Sequence, residues 1–232
     1  MNVARLIALA VVVPACGLVP SVPSNTLATS ALRAFFKVEV STIAPPSTRL
    51  NAGFYSGMSP VELAAGDTLA VSTDKDPSVA LTPSMGMYTG QISAVDRTQF
   101  TFLLTRANGP AAKSTVTIPP LMTITSPPPK TTIAHASGNV VITWSNPTPG
   151  ARVHAFASPC SGIQVGDTAE VDDTGTYTLP MSKVILGAPP KEPVCTRLYV
   201  MRKATGTTDA AFAAGSKLET SSTVTVEVLV GP

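Results

Sequence analysis

Two histidines, three cysteines and one compact acidic group are the residues with which this chain could do chemistry. His135 lies in the polar stretch His135–Asn139 and His154 in an alternating segment. Neither has a cysteine or carboxylate at metal-ligand spacing, so both read as surface or structural residues. Gly53-Phe54-Tyr55-Ser56-Gly57 places serine one position too late for the strained G-x-S-x-G turn that exposes a nucleophile. A hydrolase whose partners are dispersed along the chain would leave no such mark, and it stays a minor alternative. Asp167, Glu170, Asp172 and Asp173 could offer oxygens to calcium, a hard cation that takes several. Their spacing is not that of an EF-hand loop, and solvated loop charge is the plainer reading. The glycine motifs that cradle phosphates are missing from the sequence. No catalytic residue, metal or cofactor is assigned, and the expectation is a protein that is not an enzyme.

Trp144, the sole tryptophan, ends the apolar strand Asn139–Trp144 and reads as core packing. A sugar-binding face usually shows several exposed aromatics, and this chain has one Trp and four Tyr. Arg197, Arg202 and Lys203 flank the final hairpin and read as a solvated face.

The elements that would position these residues are strands. Charged residues make up 13% of the 232, hydrophobic ones 44%, and there are 22 prolines and 16 glycines. Threonine and valine suit pleated surfaces while proline and glycine interrupt helices, so short strands with many turns are expected. The formal net charge of +2 comes with no basic stripe, so nucleic acid is not an expected partner.

Arg5, the apolar run Leu6–Val13 and small Ala15 before Cys16 form a secretory leader too short to span a bilayer. Val13-Pro14-Ala15-Cys16 resembles the lipobox of bacterial lipoproteins, with Pro14 departing from its pattern. The resemblance implies cleavage after residue 15, a diacylated Cys16 and attachment to the cell envelope through lipid. The alternative is an ordinary cleaved signal. With Cys16 lipidated, Cys160 and Cys195 remain as one pair for a disulfide in an oxidising compartment, the alternative being two buried thiols.

Residues 16–34 read as the lipidated cysteine and a flexible tether. Phe36, Val38 and Val40 then alternate with Lys37 and Glu39, and Phe100, Phe102 and Leu104 share one face. About seven short strands over residues 35–120 predict a β-sandwich. Pro119-Pro120 closes this domain, and residues 121–232 form a second, in which the triple proline Pro127–Pro129 stops the first strand. Thr101–Gly109 aligns with Leu198–Gly206, and Ser114–Ile118 with Ser222–Val226, so both halves end in a similar hairpin. The longer loop of the second hairpin, from Thr207 to Leu218, contains an Ala-rich stretch that predicts a helical turn.

The strand ending at Trp144 and the sequence Asp173-Thr174-Gly175-Thr176-Tyr177 resemble bacterial immunoglobulin-like and fibronectin type III-like domains. The resemblance implies an all-β fold of two tandem antiparallel sandwiches, with Trp144 in the core. It also implies a tight turn shaped by Asp173 and Gly175, and Tyr177 packed nearby with its hydroxyl bonded to backbone. Leu179 stands where antibody-type domains carry a cysteine, so a Cys160–Cys195 bridge would not be the usual inter-sheet one. The functional expectation is a structural or adhesive binding module of the cell envelope, its partner protein or glycan unknown. The alternative is a carbohydrate- or surface-recognition module acting beside an enzyme.

Overall fold

The computed structural model describes residues 20–43, 45–84, 86–93, 95–162, 170–185 and 187–232. The leader, Cys16 and Asp167 lie outside the described residues. The fold is all-β, built as two sandwiches with one hydrophobic core each.

The first sandwich uses β1 (Val22–Pro23), β2 (Arg33–Ser41), β3 (Ser47–Ser56), β4 (Ser59–Glu62), β5 (Thr68–Thr73), β6 (Thr82–Ser84), β7 (Met87–Ser93), β8 (Gln99–Thr105) and β9 (Ala112–Thr117). Strands β2-β3-β7-β6 form one layer and β5-β8-β9 the other. With the main strands lettered in chain order, these are the A-B-E-D and C-F-G sheets of an immunoglobulin constant-type sandwich. Alternation decides which side chains meet. Phe36, Val38 and Val40 of β2 face Phe100, Phe102 and Leu104 of β8, and the rings of Phe36 and Phe102 stack at 4.7 Å.

The second sandwich uses β10 (Ile124–Ser126), β11 (Thr132–Ala134), β12 (Asn139–Trp144), β13 (Arg152–Pro159), β14 (Glu170–Asp172), β15 (Thr176–Pro180), β16 (Val194–Thr205) and β17 (Lys217–Gly231). Its small sheet is β10-β12-β15, and β14-β13-β16-β17 faces it. In the same lettering this is A-B-E against C′-C-F-G. The prolines at 127–129 separate β10, in the small sheet, from β11, which crosses to pair with β17. The two hairpins that resemble each other in sequence are thus the F–G pair of each sandwich.

The sandwiches share a strand. β17 pairs along one edge with β16 from Val194 to Thr205. Its other edge is divided between the domains: Lys217–Thr223 pairs with β2, and Thr132–Ala134 of β11 covers Leu229–Gly231. One 11-stranded sheet therefore runs through both domains. The expected antiparallel pairing holds for most neighbours, but β17–β2, β11–β17 and β1–β4 are parallel.

The β16–β17 connection completes the first core. Phe212 is 7% exposed and sits 6.0 Å from the Phe36 ring and 6.1 Å from that of Phe54. Thr115 and Thr207 exchange backbone hydrogen bonds of 2.9 and 2.8 Å. Asp209 accepts the Lys113 N–H at 2.7 Å, and Ser216 Oγ accepts that of Ala34. Gly206 is required where these chains cross, because a Cβ there would lie 2.5 Å from the Thr115 carbonyl oxygen. The expected helical turn in this loop does not form: turns at 210–216 deliver Phe212 to the core instead.

Residues 20–34, expected to be flexible tether, are docked on the first sandwich. Ser24 and Leu32 are fully buried, and two 3-10 turns, Ser24–Thr26 and Thr29–Ala31, shape the segment.

Truncating Phe212 to alanine should destabilise the first sandwich by about 3–5 kcal/mol, the usual cost of emptying a core phenylalanine site. Urea unfolding of the variant measures it, and a change below about 1 kcal/mol would show the loop to be dispensable.

Candidate functional site

The acidic group expected to be solvated divides when the chain folds. Asp173 is buried in the turn that follows β14. Its carboxylate accepts the Trp144 indole N–H at 2.7 Å, the Thr148 N–H at 2.9 Å and Arg202 Nε at 2.6 Å. Asp172 pairs instead with Arg152, and Glu170 lies 3.4 Å from His154. Among the described residues the three carboxylates thus face three different basic side chains, Arg202, Arg152 and His154.

Arg202 is a correction. Its residue type suggests a solvated face, yet its side chain is 0% exposed. The reason is strand phase: Leu198, Val200 and Arg202 all point inward from β16. Its Nη1 and Nη2 also donate to the carbonyls of Pro120 and Asn146, so the guanidinium ties the domain junction to the β12–β13 turn. Arg197 and Lys203 do face outward, Arg197 pairing with Glu227 at 2.9 Å.

The first sandwich carries a matching pair. Arg106 follows Phe100, Phe102 and Leu104 on the inward phase of β8, and its Nε lies 2.8 Å from Asp67 Oδ2. Its Nη2 donates to the carbonyls of Ser24 and Leu27 at 2.7 and 2.8 Å, which is what holds the N-terminal segment down. The shared ion pair makes Arg106 the counterpart of Arg202, so the first segment of the sequence repeat is one residue out of register as aligned. A strand shifted by one position exchanges its inward and outward faces.

Trp144 is 4% exposed in the second core, so it offers no platform for a sugar ring. Gly175 adopts φ +84° in the turn after Asp173, a conformation that favours glycine. Tyr177 lies on β15 opposite Ile142 and packs half-buried against the core. Cys160 and Cys195 form a disulfide. They join the ends of β13 and β16, neighbours in one sheet, and the 35-residue separation makes the bridge worth about 4 kcal/mol in the chain-entropy model. Among the described residues one group has metal-ligand spacing, Cys160, Cys195 and Glu227, but the bridge occupies both sulfurs. His135 sits in the turn before β12, and His154 Nε2 lies 3.1 Å from Lys203 Nζ.

The outer face of the large sheet holds a shallow trough across the domain junction. Three hollows of about 340, 460 and 420 Å³ adjoin: Lys37 and Glu39 line the first two, Arg49 the first and third, and Asn51 the second and third. Lys217 and Glu219 line the middle one, and Ser221, Thr223 and Met201 line the first. Two of its charges are paired: Lys37 Nζ lies 2.7 Å from Glu39, and Asn51 donates to the same carboxylate at 3.2 Å.

No protein-family model and no curated protein matches the chain. Among solved structures, DIP-gamma IG1+IG2 aligns at 10% identity over 85% of this chain and 94% of that one, with a TM-score of 0.26. The fibronectin(III)-like modules of Clostridium thermocellum CbhA align at 13% identity over 84% and 88%, with a TM-score of 0.27. Yersinia pseudotuberculosis InvD aligns at 13% identity over 88% and 58%, also at 0.27. TM-scores this low support no inference to this chain, and the description of the fold rests on its own sheet order.

Burial alone would raise the Asp67 carboxyl pKa. Hydrogen bonds from the Ser24 hydroxyl and the Ala107 N–H, with the Arg106 charge, outweigh burial and hold it below its ordinary value. The N–H groups of Ala211 and Lys113 hold Asp209 low in the same way. A depressed folded pKa gives stability that is present above the unfolded value, about 3.9, and lost as pH falls through the folded one. Urea midpoints should therefore fall as the pH drops below about 4. Asp209→Asn should reduce that fall, and an unchanged acid profile would contradict the assignment.

Proposed function

We propose that this chain is a non-enzymatic cell-envelope lipoprotein: a two-sandwich strut attached to a bacterial membrane through diacylated Cys16. It would serve as a structural or adhesive module whose partner, protein or glycan, contacts the open face of the large sheet. The observation that supports this reading most is the sharing of β17 by both sandwiches, which fixes their relative orientation. A spacer or adhesive must hold one end away from the other, and a continuous hydrogen-bonded strand resists bending where a free linker would not.

Two further features agree. The reactive side chains singled out in the sequence serve the fold: Asp173 is bonded to Trp144 and Arg202, and the cysteines to each other. The trough, lined by charged side chains and hydroxyl or amide groups, suits a polar partner more than an apolar one. The carbohydrate reading can no longer draw on Trp144; any glycan contact would fall to the trough.

In a bacterial host, the full chain should sediment with membranes and label with radioactive palmitate. Cys16→Ser should abolish the label and release the protein to the soluble extracytoplasmic fraction. Equal distribution of the two forms would overturn the anchor.

A further inference from the structure

Met58 is the most exposed large apolar side chain among the described residues, at 91%. It stands at the apex of the β3–β4 turn, and the turn is built, not loose. Ser56 pairs with Ser59, Gly57 takes φ +60°, and Arg33 Nη2 donates to the Gly57 carbonyl at 3.2 Å. The Arg33 guanidinium in turn lies 5.2 Å over the Phe35 ring. Arg33, Phe35, Tyr55 and Met87 wall a small hollow of about 250 Å³ behind the turn.

The route of the N-terminal segment gives this turn its meaning. β1 runs parallel to β4, with Val22 opposite Val61 and Pro23 opposite Glu62. Following that register back along the chain carries Ser21 and Pro20 past Pro60 and Ser59, toward Met58. The described chain therefore leaves the fold beside this turn. Only four residue steps separate Pro20 from Cys16, a reach of at most about 14 Å at the 3.6 Å of an extended residue. The turn also lies at the end of the first sandwich remote from the second, because β17 starts beside Phe35 with Lys217 and runs away to Gly231.

We infer that the Met58 turn is a membrane-contact tip: the first sandwich stands on the bilayer through Met58, and the second projects outward. This rests on the reading of Cys16 as lipid-bearing. With the lipid already in the bilayer, contact of the tip is an intramolecular event, so one apolar side chain backed by a fixed turn can set orientation where it could not recruit the protein alone. Arg33 would lie at the level of the headgroups with its stem against Phe35. Glu62, exposed beside Pro23, would limit attraction to an anionic surface.

The test uses the chain from Cys16 to Pro232, its Cys16 thiol coupled to a maleimide lipid in phosphatidylcholine vesicles. Cys160 and Cys195 are bridged, so the coupling is selective. Methyl-labelled methionines report on spin-labelled lipid. The expected result is severalfold greater broadening of Met58 than of Met201, which lies on the sheet face at the domain junction. Met58→Asn should also abolish vesicle-induced hydrogen-exchange protection of the turn. Equal broadening of Met58 and Met201, or protection that survives Met58→Asn, would overturn the inference. Because the lipid is installed chemically, either outcome stands apart from whether a host acylates Cys16, which fractionation decides.

Discussion

β17 is hydrogen-bonded on both edges and belongs to two cores. Leu218 is buried in the first and Val224, Val226, Val228 and Val230 in the second, with Thr220, Ser221 and Ser222 buried at the seam between them. This one strand makes the domain division unlike a pair of beads. The first sandwich takes its last sheet neighbour from the second domain's final strand and one core phenylalanine from the loop that leads into it. Its A strand would otherwise be an open edge, which natural sheets avoid leaving long and exposed. The geometry that suits the chain to act as a strut is thus a consequence of how the first sandwich is completed.

Each core also holds one buried ion pair, Asp67–Arg106 and Asp173–Arg202. Such pairs contribute little net stability over an apolar substitute, but removing one partner leaves an unpaired buried charge that costs about 3–5 kcal/mol. Their placement explains more than their energy. Arg106 gathers carbonyls from the N-terminal segment, and Arg202 gathers carbonyls from Pro120 and Asn146. In both sandwiches a buried guanidinium at the end of strand F donates to irregular backbone, the N-terminal segment in the first and the domain junction and β12–β13 turn in the second.

The sequence disclosed what local alternation can encode. The inward faces of β2, β8 and β12 follow from period two, and the placement of strand breaks follows from proline and glycine. Arg202 was misplaced because its charge was weighed ahead of its phase: the same alternation that sends Leu198 and Val200 inward sends it inward as well. The Ala-rich loop around Phe212 has good helix propensity, but burial of a phenylalanine among Phe36 and Phe54 outweighs tenths of a kcal/mol per residue. The sharing of β17 could not be read at all. Its parallel pairing with β2 joins segments about 180 residues apart, as the Ala34–Ser216 hydrogen bond shows, and leaves no pattern in either one. The acidic group was legible as a cluster, but its division among Arg152, His154 and Arg202 depends on strands brought in from elsewhere.

Cooperativity between the sandwiches is the property on which this account turns, and native-state hydrogen exchange reads it directly. Trp144→Ala lies wholly within the second core and should weaken it by about 3–5 kcal/mol. If β17 makes the two sandwiches one unit, the amides of β8 and β9 in the first domain will lose protection by the same free energy as those of β12 and β15. Unchanged protection in β8 and β9, with faster exchange confined to β12 and β15, would contradict it.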